Sequence, residues 1–499
     1  MAQLFDVNML SQGRTVYVDA FKTTLLLLFS IVALPLLAAP APADKSAVYG
    51  AGSQGRDMPR QRADLLSVYE AASHNDARLS AARHAYRAEL EAVPQARAGL
   101  LPSLTAGATT EVTGLKRDEP ALSRERSGTT VRANLSQPLF RIDRWFQLKA
   151  AQSSVIQAEL ELAAQEQNLI LTAAQTYFEI LRQLDVFAAA QAEEAALLRQ
   201  RDQAQGRLED GASSITDVYD AQAAYDNARA DRQQFQRKVD DAYEALERLT
   251  RRTYSAIAGM GHQLPVEAPV PNDARAWVDT AVRQNLELQA SEYAVSAATH
   301  TLSQRKSGHA PTIDAVASYR KGDNDSFGYS NPTDFGSNGY RDRVAQSSVG
   351  IELNIPLYSG GMTNSQIKES TERLYQSQDE QEDRRREVVL NTRNAFRGIN
   401  AGIEQIIARR QSIVSGQKSV EANQVGVDLG SRNIADVLNA QRQLYAAVRD
   451  YNDARYDYIL DNLKLKQAAG TLSPDDLKAL ARYLKQDYDP ARDFLPTGS

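Results

Sequence analysis

The 499-residue chain predicts a mainly α-helical fold with a small β part, written twice over and arranged about an axis as a tube. Three observations predict it. The first is a duplication. Leu135-Ser136-Gln137-Pro138-Leu139-Phe140 returns as Leu353-Asn354-Ile355-Pro356-Leu357-Tyr358, 218 positions later, and the same offset carries Phe178 onto Phe396. With one extra residue, Gly211, Asp217-Val218 and Ala221-Gln222 fall on Gly430, Asp436-Val437 and Ala440-Gln441. This repeat is far longer than a solenoid unit, so one large block was copied whole. The second observation is the lack of proline between Pro138 and Pro265 and between Pro356 and Pro474, in stretches rich in helix formers. The third is four short segments in which apolar and polar residues alternate with the strand period.

The elements follow in order. Thr24–Ala38 is an apolar run preceded by Arg14 and Lys22 and followed by Ala41-Pro42-Ala43. Residues 1–43 therefore read as an export signal, cut after Ala43. The run is shorter than the roughly 20 apolar residues of a membrane helix. Residues 44–62 are small and polar, a loose segment. The first repeat, 63–258, opens with a helical pattern over Asp64–Arg97, stopped before Pro102. Strands follow over Ser103–Val112 and Val131–Ser136, joined by a polar loop from Lys116 to Gly128. A helix over Arg141–Gln205 is then about 100 Å long at 1.5 Å per residue, a length that no compact globular domain needs. Gly206 and Gly211 break it, and a shorter helix covers Thr216–Arg251. Residues 259–275 are a connection rich in Gly and Pro.

The second repeat, 276–472, copies the plan. A helix covers Ala276–Lys306, strands cover Thr312–Arg320 and Val349–Ile355 around a Gly/Asn/Ser/Asp loop, and a second long helix spans Met362–Gly426. Its partner, Ile434–Leu465, carries a coiled-coil stripe through Ile434, Leu438, Tyr445 and Val448. Pro138 and Pro356 read as the turn from strand to helix, since proline removes a ladder donor. In the first half the two short helices together match the long one, so they can lie end to end along it. Residues 473–499 form a C-terminal segment.

Composition excludes several classes. There are no cysteines, hence no disulfide, thiolate site or cysteine nucleophile. The five histidines are scattered and the net charge is a mild −6, so neither a metal site nor a nucleic-acid face is indicated. No catalytic or cofactor motif is present, and the chain does not read as an enzyme.

The strands carry the strongest demand. Each has one apolar and one polar face over about ten residues, the pattern of a membrane β-barrel, although a soluble sandwich shows the same alternation. Four strands cannot close a barrel, and lipid does not tolerate open strand edges. Two copies would supply eight strands and three would supply twelve.

Leu100-Leu101-Pro102, Leu135-Ser136-Gln137, Trp145, Tyr177-Phe178, Asp185-Val186, Gly360-Gly361-Met362, Asn364-Ser365-Gln366, Gly430-Ser431-Arg432, Asp436-Val437-Leu438, Ala454-Arg455-Tyr456 and Gly470-Thr471-Leu472, in this order and spacing, resemble the TolC-type outer-membrane exit-duct family over residues 63–480. The resemblance implies a homotrimer with a 12-stranded barrel in outer-membrane lipid. A barrel of long helices would continue it across the periplasm, with a mixed α/β belt at mid-height built from Thr253–Asp273 and the segment after Ser473. It also implies export of protein or drugs handed over by an inner-membrane ABC- or RND-type transporter through a periplasmic adaptor, with no cofactor and no nucleic acid.

It further implies a gate at the two glycine turns, Gly206–Thr216 and Gly426–Asn433. The plain reading of these turns is that glycine ends one helix and Thr216 caps the next. In the family, an arginine matching Arg432 ties the second hairpin to the first through residues matching Thr216 and Asp217. Asp436 matches an aspartate at the pore constriction, where copies would form a ring that favours cations. Asn439 replaces a second pore aspartate and Val427 a gate tyrosine, so the ring is single and one closure bond is missing. Gly211 and Gly430 would leave grooves for the adaptor's tips. Trp145 reads equally as a boundary aromatic or as core beneath the barrel, and Glu382–Arg386 as a solvated face. The competing class is a periplasmic scaffold or pump adaptor without a pore, but adaptors carry one helical hairpin and no duplicated strand–strand–helix block.

Overall fold

The duplication governs the order of elements. The computed structural model describes residues 62–118, 122–211, 214–323 and 343–496; the expected export signal and most of the segment after it lie outside these. The first half runs α1 (Leu65–Asn75), α2 (Ala77–Leu90), α3 (Ala92–Ala98), β1 (Ser103–Arg117), β2 (Leu122–Phe140), α4 (Ile142–Glu209) and α5 (Ile215–Thr250). After β3 (Gly259–Met260), the second half runs α6 (Ala274–Gln284), α7 (Leu286–Lys306), β4 (Thr312–Asp323), β5 (Arg343–Asn354), α8 (Met362–Asp428) and α9 (Ile434–Ala468). The C-terminal segment adds α10 (Pro474–Ala481), β6 (Leu484–Lys485) and α11 (Pro490–Asp493).

β1, β2, β4 and β5 make one antiparallel sheet in the order β1-β2-β4-β5. The register places like with like. Leu104, Leu135, Ala317 and Val349 lie side by side on one face, and Thr105, Asn134, Ser318 and Ser348 on the other. Among the described residues nothing covers the apolar face: Val349 and Ile351 are 72 % and 73 % exposed. The strands outrun the sequence reading. Much of the expected Lys116–Gly128 loop is strand, because backbone pairing continues after the apolar alternation fades. Pro138 does not end β2. The strand passes through it to Phe140 with a register shift between Pro138 and Phe140, the irregularity that a missing N–H demands.

The long helices have 68 and 67 residues, each about 100 Å at 1.5 Å per residue. Among the described residues no helix is long and apolar enough to cross a membrane. Expected single helices are divided instead. Asp76 and Asn285 take extended backbone and accept from the Leu79 and Leu288 amides, so each starts a fresh helix. Helices α1, α2, α3 and α5 all pack along α4, and α7 and α9 both pack along α4 and α8. The joint between α7 and α9 is tight. The Asn285 side chain donates to the Ala468 carbonyl at 3.0 Å, and Gly470, at φ +71°, lies so close to the Gln284 carbonyl that a Cβ would collide with it.

A belt wraps this waist. β3 pairs with β6, joining the central connection to the C-terminal segment. Beneath it sits a buried polar knot. Tyr456 and Tyr488 both donate to the Asp185 carboxylate, Tyr456 at 2.8 Å. Arg455, 3 % exposed, donates to the Gly261 carbonyl at 2.7 Å and to Asn452, and Asn452 donates to the Phe494 carbonyl at 2.9 Å. Gly259 has no room for a side chain, because the Tyr488 ring occupies that space.

Burial pushes the Asp185 carboxyl up to about 6, against the opposing pull of the two tyrosine hydroxyls and Arg455. The folded value lies above the ordinary one of about 3.9, so its stabilisation is complete below about pH 4 and lost as pH rises through 6. His262, whose Nε2 donates to the Asp493 carbonyl at 2.7 Å, runs the other way. Burial and Arg455 lower it to about 4, so its contribution is lost as pH falls. The difference between wild type and Asp185→Asn isolates the carboxyl. Melting curves should show wild type losing on the order of 2 kcal/mol relative to the variant between pH 4 and 7, at 1.36 kcal/mol per unit. Parallel curves would show that Asp185 does not titrate in this range.

Candidate gate at the helical tips

The far ends of α4–α5 and α8–α9 are two helix turns. Each uses one glycine in the left-handed region, Gly211 at φ +70° and Gly430 at φ +71°. Gly206 does not break α4, which continues to Glu209; a helix tolerates one glycine where the chain need not turn. Thr216 is not the cap either. Ser214 caps α5 by accepting from the Asp217 amide at 3.2 Å while Asp217 accepts from the Ser214 amide at 3.1 Å, a capping box. The Thr216 hydroxyl lies 2.6 Å from that of Ser214. In the second turn Asn433 caps α9, and the Ser431 and Arg432 amides donate to the Gly426 carbonyl.

Arg432 and Asp436 face each other one turn apart on the same helix start, Nη1 to Oδ2 at 3.7 Å, both partly exposed. Such a pair contributes about 0–1 kcal/mol. Within one chain Arg432 thus pairs with Asp436, and Asp217 takes part in its own capping box. Asn439 is exposed one turn further along α9. Gly211 and Gly430 open onto free space. Val427 is buried, and its contribution is its carbonyl, which accepts from Arg207 Nη2 at 3.1 Å.

That last contact was not legible in the sequence. The two hairpins meet through Arg207, whose Nη1 also lies 3.5 Å from Asp428 Oδ1, and through Gln200, which donates to Gln424 at 2.9 Å. A small apolar cluster backs them, with Ile434 and Leu438 of α9 against Leu197, Ala204 and Ala221. Arg207 stands in the last turn of α4, where a cation is favoured, and that was the available signal. At the opposite end, Trp145 is 52 % exposed with Lys149 Nζ 5.4 Å above its ring, so within the chain it is not core. Among the described residues no cluster could hold a metal ion.

Comparison with known proteins gives a consistent picture. The family described as outer membrane efflux protein matches residues 68–250 and 277–471, the two repeats. Outer membrane protein TolC of Vibrio cholerae is 35 % identical over 424 residues, covering 85 % of this chain and 94 % of the relative. Alkaline protease secretion protein AprF of Pseudomonas aeruginosa is 27 % identical over 436 residues, covering 86 % and 89 %. Among solved structures, CusC, described through its folding and transmembrane channel formation, superposes with a TM-score of 0.70 at 17 % identity over 87 % of this chain and 97 % of that one; this likeness speaks for the fold alone.

Gly426 tests how tightly the second turn is built. A Cβ there would sit 2.6 Å from Arg432 Cγ, so Gly426→Ala must displace Arg432 at a cost of about 1–3 kcal/mol. Gly206→Ala meets open space in a helix and should stabilise by about 0.5–1 kcal/mol. Hydrogen exchange over residues 426–436 should quicken in the first variant and stay unchanged in the second. Equal exchange in both would show that Gly426 imposes no packing constraint.

Proposed function

This chain belongs to the outer membrane efflux protein family, and from that premise we propose that three copies pool their strands into one closed barrel and their helices into one gated tube. The chain is an outer-membrane channel protein of the class that serves multidrug efflux and type I secretion; it is not an enzyme. The observation that carries closure by several copies is the sheet, and the number three follows the family. Among the described residues the sheet's apolar face is bare, and β1 and β5 each pair on one side only. A hydrocarbon layer leaves such edges unsatisfied unless another copy pairs with them. Three copies of a four-stranded sheet supply twelve strands, an even number above the minimum of about eight.

In this reading the tips point into the periplasm, where an adaptor engages the grooves at Gly211 and Gly430 and an inner-membrane transporter of ABC or RND type delivers the cargo. Asp436, repeated around the axis, lines the constriction and favours cations. Arg432 reaches Thr216 and Asp217 of a neighbouring copy in the closed assembly, in place of its partner within the chain. An exchange of weak exposed pairs suits a gate, since adaptor binding then suffices to open it.

Purified protein should migrate as a trimer in detergent, fractionate with the outer membrane and open a water-filled passage in planar bilayers. A stable monomer, or material that never conducts, would refute the channel reading and favour a pore-less scaffold. Within the channel reading, Arg432→Ser should raise single-channel conductance. An unchanged trace would remove Arg432 from closure and leave the channel standing.

A further inference from the structure

We propose that Arg207 is a positioning residue for the closed state, a latch that holds the two helical hairpins of one chain together at their tips. The proposal rests on the gated-tube reading above and adds a residue to it. Two hairpins that must part for the tube to open need a contact between them inside each copy. Among the described residues, Arg432 does not supply it, because its ion pair stays on its own helix. Arg207 does. Its Nη2 donates to the Val427 carbonyl at 3.1 Å and its Nη1 faces Asp428 Oδ1 at 3.5 Å. One guanidinium from the last turn of α4 thus engages the last turn of α8 in two directions, which its planar fork allows and a lysine's point charge does not.

The location strengthens the contact. Val427 sits in the last turn of a 67-residue helix, where carbonyls lack intrahelical partners and the helix end carries partial negative charge. The Val427 carbonyl already accepts from the Gly430 amide at 3.1 Å, and the guanidinium takes its second lone pair. Asp428 is tied into the same unit. Gln424 donates to Asp428 Oδ1 at 3.4 Å and accepts from Gln200 at 2.9 Å. Gln200 is 8 % exposed. The chain Gln200–Gln424–Asp428–Arg207 therefore begins and ends on α4 and passes through α8 between. The arginine is half-exposed and the aspartate more so, so the latch is breakable, as a gate requires.

The test uses the intact chain in planar bilayers. Arg207→Ala should raise single-channel conductance several-fold over wild type. Arg207→Lys should fall between, and Asp428→Asn should have a smaller effect than Arg207→Ala because the Val427 carbonyl bond survives. The chain has no cysteine, so Arg207→Cys with Asp428→Cys can be joined selectively by a bifunctional thiol reagent long enough to span the gap the arginine bridges, with the joined product verified by mass spectrometry. Joined, the pair should conduct like wild type; unjoined, like Arg207→Ala. A conducting wild type with an identical Arg207→Ala trace overturns the latch alone, as does a verified joined pair that conducts like Arg207→Ala. A wild type that never conducts overturns the channel reading itself.

Discussion

Four strands cannot satisfy their own edges. That constraint organises the rest of the molecule. The sheet turns a continuous apolar face outward, with Leu104, Leu135, Ala317 and Val349 in one row. Each polar row behind it carries groups suited to water, such as Arg132 donating to Thr109 at 2.8 Å and Ser318 beside Ser348 at 2.7 Å. In an outer-membrane protein, a face of one kind outside and the other inside fits a closed wall between lipid and water. Once the wall must close by adding copies, the helices that leave it are committed to a ring as well. At the exit from β2, Arg141 faces Asp314 of β4 at 3.3 Å, so the direction in which α4 departs is fixed against the neighbouring strand.

Rigidity is distributed unevenly along the rods. At the waist, an ionisable carboxyl is wholly buried among two tyrosine hydroxyls and a nearby arginine, and the C-terminal segment is bound over it. Leaving any member of such a network unpaired costs about 1–3 kcal/mol, so the waist is held in one arrangement. At the tips the contacts are exposed ion pairs, amide bridges and alanine-rich packing around Ala204, Ala221 and Ala224. Small side chains bury little area, and the grip there is correspondingly weak. A stiff waist above a weakly tied end is the gradient that an opening tube needs.

Much of this was legible in the residues. Absence of proline exposed both long helices, and alternation exposed the strands and the face each presents. What escaped the sequence was decided by single side chains or by distant partners. Asp76 and Asn285 end helices through one capping bond each, in stretches whose composition is otherwise helical. Gly206 and Gly211 look alike as letters, yet only Gly211 is forced to a positive φ. Arg207 meets a backbone carbonyl, which any residue type at 427 would offer, so no pattern of letters announces the contact. Asp185, Arg455 and Tyr456 stand within the family signature, where the letters alone give them no role. Their role is the buried knot, and it depends on Tyr488, far away in the chain.

The joint between α7 and α9 has a mechanical consequence. These two rods abut through an amide, a carbonyl and a bare glycine backbone, whereas α4 and α8 cross the same level without interruption. The close joint locks the two shorter rods end to end, so together they bear load along the wall as one stave beside the single helices α4 and α8.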